Sequence, residues 1–248
     1  MGGGLLLCCV LVVLAGFRLA AAMTNSPQAT VTGLPSPATT PKAPASSTPA
    51  KSLSQTAPAR APRIRATGKY ALAPGGTDRG GLGTRMTYRV EVETGTAQGA
   101  PVFAEAVDAT LADPASWGGQ GRWALQRVST SGADFVIRLA TPATVDKVCA
   151  TVGLDTRGYV SCRAGNLVMI NLNRWLAAVP EYRGDVALYR QYVINHEVGH
   201  LLGYGHQACP GPGRLAPVMQ QQSFRLNGCL PNGSPYVAGK LVSGPATS

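Results

Sequence analysis

The chain has 248 residues, of which 45% are hydrophobic and 14% charged, so it can form one sizeable folded domain and is not disordered throughout. The net charge of +10 is unevenly placed, because residues 1–66 carry six Lys or Arg and no acidic residue. The rest of the chain carries 16 basic and 12 acidic residues. Such a weakly basic domain, with no basic helix or RNA-binding aromatic motif, predicts no nucleic-acid partner.

The N-terminal region has the composition of an export signal followed by a spacer. Residues 5–17 are apolar and are followed by Arg18 and by small residues up to Ala22. This run is short for a membrane span, so we expect a signal peptide or a retained N-terminal anchor over residues 1–22. Residues 23–67 are dominated by Pro, Ala, Ser and Thr, which predicts a disordered tether to a membrane or a cell wall. We therefore expect an exported protein that is secreted or associated with the cell surface or cell wall.

Residues 68–248 are expected to form the folded domain. Alternation over residues 86–92, with the charges of Arg85, Arg89, Glu91 and Glu93 facing away, predicts a half-buried strand. The elements expected after it are a helix over 103–111, strands over 122–128 and 134–140 joined by a Ser-Gly turn, a short helix over 144–152, strands over 159–162 and 166–172, and a long helix from about Asp185 to Gly203. The last quarter shows no periodicity. The predicted class is α+β.

Four cysteines lie in this folded region, at positions 149, 162, 209 and 229. An even count in an exported chain predicts two disulfides, for which three pairings exist. Proximity in sequence favours Cys149 with Cys162 and Cys209 with Cys229. A zinc-ribbon site would need paired Cys-x-x-Cys spacings, which the sequence lacks.

All three histidines of the chain fall within residues 196–206. His196 and His200 are four residues apart, so on a helix their imidazoles lie on one face and can share a metal ion. Glu197 is placed beside them, where a carboxylate can accept a proton from a metal-bound water. Gly203 can turn the chain sharply, which would return His206 to the same ion. Three nitrogen ligands and an open position are typical of catalytic zinc.

Residues 196–206 resemble the long zinc-binding motif of the metzincin metallopeptidases, and Gly199 with Leu202-Gly203 is closest to the matrixin form. The resemblance implies a zincin-like fold: a mixed twisted sheet with a backing helix and an active-site helix, followed by a small irregular C-terminal subdomain. It also implies a methionine turn beneath the metal, for which Met219 is the candidate. Gln221 stands where some metzincins have a further tyrosine ligand. The whole chain is similar to uncharacterised exported zincin-like proteins of actinobacteria.

The function expected from this resemblance is a secreted or surface-tethered zinc endopeptidase that binds one Zn²⁺ per chain. Its ligands would be His196, His200 and His206, and Glu197 would act as general base on a peptide or protein substrate. A monomer is expected. Two alternatives stay open: a non-catalytic zinc-containing binding protein of the cell envelope, and a zinc amidase that acts on cell-wall peptides.

Overall fold

The computed structural model describes residues 64–247, so the predicted leader over 1–22 and most of the predicted tether lie outside the described residues. This range has eight strands, which are β1 (Tyr70–Leu72), β2 (Thr84–Glu93), β3 (Trp123–Arg127), β4 (Phe135–Ala140), β5 (Cys162–Ala164), β6 (Leu167–Asn171), β7 (Tyr236–Val237) and β8 (Lys240–Leu241). Its α-helices are α1 (Ala100–Ala112), α2 (Pro142–Ala150), α3 (Leu172–Ala177) and α4 (Val186–Leu201), with a 3₁₀ turn at Pro180–Tyr182. The predicted α+β class is confirmed. None of these helices is long and apolar enough to cross a membrane.

Six of the strands form one mixed sheet, in which the path β1-β2-β4-β6-β5 runs from edge to edge. The three central strands β2, β4 and β6 are parallel, whereas β1 and β5 are antiparallel to their neighbours. β3 pairs in parallel with the first half of β2. Parallel neighbours need a crossover connection, and the helices α1 and α2 supply it after β2 and after β4.

Several local predictions differ from the structure because strand pairing is not a local property. The two strands predicted around the Ser-Gly turn do not pair with each other, since both β3 and β4 pair with β2. The strand predicted over 159–162 is wrong. The strand antiparallel to β6 is β5, which begins only at Cys162. It can extend to Ala164 because Gly165, with φ of +61°, forms the turn that leads into β6. β1 and α3 were not predicted at all.

Helix α4 lies in the hydrophobic core and packs against α1, α3, β5 and β6. The Asp185 side chain caps its start by accepting the Leu188 N–H at 2.9 Å, as an N-cap residue should. Polar groups in the middle of the helix are satisfied by neighbouring loops. Ser116 Oγ donates to Asn195 Oδ1 at 2.7 Å, and Trp117 Nε1 donates to the Asn195 carbonyl at 2.8 Å. These bonds fix α4 immediately before its two histidines.

The region after α4 has little regular structure apart from the β7–β8 pair. Two disulfides join the four cysteines of the described chain: Cys149 with Cys162, and Cys209 with Cys229. This is the pairing of sequence neighbours that proximity favours. The second bridge closes a 20-residue span within the irregular region, where a cross-link restricts an otherwise flexible loop.

The prediction that Glu91 and Glu93 face solvent is wrong, because β2 is buried on both faces at this end of the sheet. Glu91 is 5% exposed and accepts hydrogen bonds from Arg89 and Arg138, while Glu93 is fully buried. Five hydrogen bonds reach the Glu93 carboxylate, donated by the N–H groups of Thr67, Gly68 and Thr141 and by the hydroxyls of Thr141 and Thr144. Thr67 was predicted to belong to the tether. The attachment of the chain to the domain therefore begins before residue 68.

The variant Glu93→Gln is expected to lower the free energy of unfolding at neutral pH by about 2 kcal/mol. An amide cannot accept all five bonds, and its NH₂ group faces N–H donors. Burial raises the pKa of Glu93, but the bonds from Thr144, Gly68 and Thr141 outweigh burial and hold the pKa below its ordinary 4.5. The stabilisation is therefore complete above pH 4.5 and is lost as the pH falls through the lowered value.

Urea unfolding of the wild type and of Glu93→Gln over this pH range measures the effect, with the exposed Glu105→Gln as control. The difference between the wild type and Glu93→Gln should shrink as the pH falls. A difference that is constant with pH would mean that the charge of Glu93 contributes nothing.

Candidate metal centre

The three histidines converge on one point at the C-terminal end of α4. The Nε2 atoms of His196 and His200 lie 3.2 Å apart, and those of His200 and His206 lie 3.0 Å apart. One ring nitrogen from each of the three lies within 4.8 Å of the other two. His196 is buried, and the other two histidines are partly exposed. The structure thus brings together all three residues that the sequence proposed as ligands.

A tight turn returns His206 to the helix. Gly203 has φ of +93°, and its N–H donates to the His200 carbonyl at 3.2 Å. The next N–H, that of Tyr204, donates to the Gly199 carbonyl at 2.9 Å. This pair of bonds is the Schellman arrangement, which needs a left-handed residue after the helix and therefore favours glycine.

Two of the imidazoles are oriented by backbone carbonyls. His196 Nδ1 lies 2.8 Å from the Val218 carbonyl, and His200 Nδ1 lies 2.9 Å from the Tyr204 carbonyl. A carbonyl can only accept, so each Nδ1 carries the proton and each Nε2 presents a lone pair. This use of the second ring nitrogen is typical of metal-binding histidines.

The donor set fits a tetrahedral metal ion. Three nitrogens bound at 2.0–2.1 Å in tetrahedral geometry lie about 3.3 Å from one another, close to the two separations found here. Burial and the like charge of His200 lower the pKa of His196 to about 3, and burial and His206 lower the pKa of His200 to about 4. Burial also lowers the pKa of His206. The rings are therefore neutral at physiological pH, as metal ligands must be.

Glu197 lies next to the first histidine and is almost fully buried, with 5% of its surface exposed. Burial raises its pKa to about 8, and Arg163 is the charge that opposes this increase. A cation held by the three histidines would also favour the ionised form. Glu197 borders the same cleft as the histidines, so its carboxylate can act on a molecule bound there.

The loop that contains Met219 lies directly beneath the histidines. Its turn is closed by the Gln220 N–H, which donates to the Pro217 carbonyl at 2.9 Å. The Met219 side chain is buried against Gly199, where an added methyl group would collide with Met219 Sδ and would lie 2.9 Å from Trp117 Cζ2. Gly199 is therefore required for this close approach, a role that its place in the motif alone did not reveal.

Two tyrosines of α4 form hydrogen bonds with the loop that contains Met219. The Tyr192 hydroxyl donates to the Gln220 carbonyl at 3.1 Å and accepts the Gln222 N–H at 2.9 Å, and Tyr189 shares a hydrogen bond with Ser223. Both tyrosines are buried in the core. Tyr192 also borders the cleft.

A cleft of about 370 Å³ opens above the histidines. Its walls are formed by the segment closed by the Cys149–Cys162 disulfide, by β5, and by Gln221, Ser223 and Phe224 in the loop after Met219. Sequence reasoning did not identify Leu154, Arg163 or Phe224, which line these walls. No local motif marks them, because they reach the cleft only through the pairing of β5 with β6 and through the course of the loop after Met219.

Comparison with known proteins places most of the chain in one family. A family model described as "Protein of unknown function (DUF3152)" matches residues 58–230, which includes the three histidines, Glu197 and Met219. No curated protein and no solved structure matches the chain.

Proposed function

The chain belongs to the DUF3152 family, and we propose that it is an exported zinc-dependent endopeptidase of the metzincin type. The observation that carries this proposal is the convergence of three neutral imidazoles beside a buried glutamate, at the floor of an open cleft. A purely structural zinc site would be closed by a fourth protein ligand. Among the described residues, the group of potential ligands consists of the three histidines alone.

His196, His200 and His206 would hold one Zn²⁺ per chain, with Val218 and Tyr204 orienting two of the rings through their carbonyls. When bound, the ion supplies a Lewis acid that makes a water molecule more acidic and polarises a carbonyl group. Three imidazoles also suit copper, iron and nickel, so the proposal of zinc rests on the resemblance of residues 196–206 to the metzincin motif.

Glu197 performs the proton transfers. Its carboxylate takes a proton from the attacking water as the C–O bond forms at the peptide carbonyl. The same carboxyl group then delivers that proton to the amide nitrogen as the C–N bond breaks, so the glutamate is regenerated. Burial in the cleft floor keeps competing water from the carboxylate and raises the pKa of Glu197, whereas a cation held by the three histidines would lower it, so the group can both accept and deliver a proton.

Export is supported by the two disulfides, which persist in oxidising compartments, and by the sequence pattern of the leader. If the leader is retained as an anchor, the tether would hold the domain at the cell surface. If the leader is cleaved, the domain would be secreted together with the tether.

Removal of the metal tests the proposal. The full chain, purified under oxidising conditions, is expected to contain one zinc per molecule and to cleave members of a broad peptide library. A strong chelator should abolish cleavage and added Zn²⁺ should restore it. The library products also define the specificity.

Other outcomes identify other functions. Stoichiometric zinc without peptide cleavage, together with release of peptides from purified cell walls, would indicate an amidase. Zinc without either activity would indicate a binding protein. A folded chain with no affinity for zinc would refute the proposed metal centre.

A further inference from the structure

The charge of the cleft is determined by very few side chains. Apart from the four residues of the metal centre, the charged residues that line it are Asp155 and Arg163. Asp155 is already engaged, because its carboxylate accepts the Arg157 N–H at 3.0 Å and pairs with the Arg157 guanidinium at 3.3 Å. The guanidinium of Arg163 donates to the Gly165 carbonyl at 3.1 Å, and no carboxylate of the described residues lies within ion-pair distance of it.

The position of Arg163 on β5 directs its side chain away from the core. Its neighbours Cys162 and Ala164 are buried, and side chains alternate along a strand, so Arg163 projects from the opposite face. Arg163 lines the same cleft as Glu197 and the three histidines. An acidic side chain of a peptide bound in this cleft could therefore meet the guanidinium of Arg163.

Exposed apolar side chains line the same cleft as Arg163. Leu154 is 46% exposed and Phe224 is 51% exposed, and the Phe224 ring stacks on Tyr159 with a centroid distance of 5.9 Å. A peptide bound against these side chains would exclude water from part of the cleft. An ion pair formed there is screened less than one on an open surface.

We propose that the cleft selects peptides that carry an acidic side chain beside the scissile bond, and that Arg163 is the specificity-determining residue that binds it. This inference rests on the proposed endopeptidase function and adds its substrate class. A basic side chain at the same position would meet a like charge and would be disfavoured.

The test uses a set of peptides that are identical except for Glu, Gln or Lys on either side of the cleaved bond. The zinc-loaded wild type should cleave the Glu peptide with a kcat/KM about fivefold above that of the Gln peptide, the upper range for a solvent-accessible ion pair. High NaCl should reduce this ratio. In Arg163→Gln the ratio should fall to about one, and Arg163→Glu should prefer the Lys peptide. Arg183→Gln removes the same charge from an exposed position outside the cleft and should keep the wild-type ratio.

The two hypotheses fail in different ways. Cleavage of the Glu and Gln peptides at equal rates by the wild type would overturn the role of Arg163 but leave the peptidase intact. If the zinc-loaded chain cleaves none of the peptides, the proposed function fails. Their binding, followed by fluorescence anisotropy, then decides the inference: tighter binding of the Glu peptide that is lost in Arg163→Gln supports it, and equal affinities refute it.

Discussion

Replacement of Glu197 by glutamine is expected to leave zinc bound and to lower kcat/KM for peptide cleavage by roughly 10²–10⁴-fold, the range attributed to a general acid–base group. Glutamine has nearly the same volume and shape, so it can occupy the buried position without disturbing the fold. It cannot accept and return a proton. The three imidazoles, and the carbonyls that orient two of them, are unchanged in this variant, so metal binding has no reason to weaken.

Two measurements on the same preparation separate the possible roles of Glu197. Metal analysis gives the zinc content, and initial rates on a library-derived peptide give kcat/KM. Glu105→Gln, on the exposed surface of α1, is the matched control and should match the wild type in both. Unchanged activity in Glu197→Gln would exclude the general-base role, and loss of zinc would show that the carboxylate supports the metal site instead.

The second large effect is expected when residues 244–248, which include the segment that holds His206 in place, are deleted. Unlike His196 and His200, His206 is positioned mainly through its backbone. The Thr247 N–H donates to the His206 carbonyl at 3.0 Å, and the Ala208 N–H donates to the Pro245 carbonyl at 2.8 Å. On its other side this segment is held by the Gln207 N–H, which donates to the Met219 carbonyl at 3.1 Å. The C-terminal tail, residues 244–247, thus positions the third ligand, although it lies beyond the matched family region.

Deletion of residues 244–248 is therefore expected to weaken zinc binding by up to about 100-fold, the effect typical of losing groups that orient a ligand. Without the tail, the hydrogen bond from the Gln207 N–H to the Met219 carbonyl would be left to hold this segment, so the His206 imidazole could move away from those of His196 and His200. Zinc dissociation constants, measured by competition with a chromophoric chelator, report the change. Circular dichroism checks that the core, which does not include the tail, stays folded.

A pair of glycine variants gives a milder version of this test. A methyl group added at Gly244 would collide with the Ala208 carbonyl, so Gly244→Ala should separate the tail from the His206 segment. A methyl group added at Gly205, next to His206, meets no atom within 4 Å, so Gly205→Ala should bind zinc like the wild type. Equal affinities in Gly244→Ala, the deletion variant and the wild type would show that the tail has no role at the metal centre.

Sequence reasoning identified the features that depend on short separations along the chain. The helical spacing of His196 and His200, the cap at Asp185 and the reversal at Gly203 follow from backbone geometry within two or three turns, and α4 has these features within two residues of the expected bounds. The disulfide partners are likewise close in sequence. The α+β class was predictable because the hydrophobic period of each segment depends on its local backbone, so helices and strands can be recognised one by one.

Contacts between distant segments were not predictable from the sequence. The alternation in β2 indicated a strand, but it indicated neither the neighbours of that strand nor the packing that buries Glu91 and Glu93. Arg163 reaches the cleft because β5 pairs with β6, and the C-terminal tail reaches His206 through hydrogen bonds across about 40 residues. Such contacts depend on which surfaces can be buried together. Which segments pack together depends on the free energy of the whole core, and no local sequence pattern contains that information.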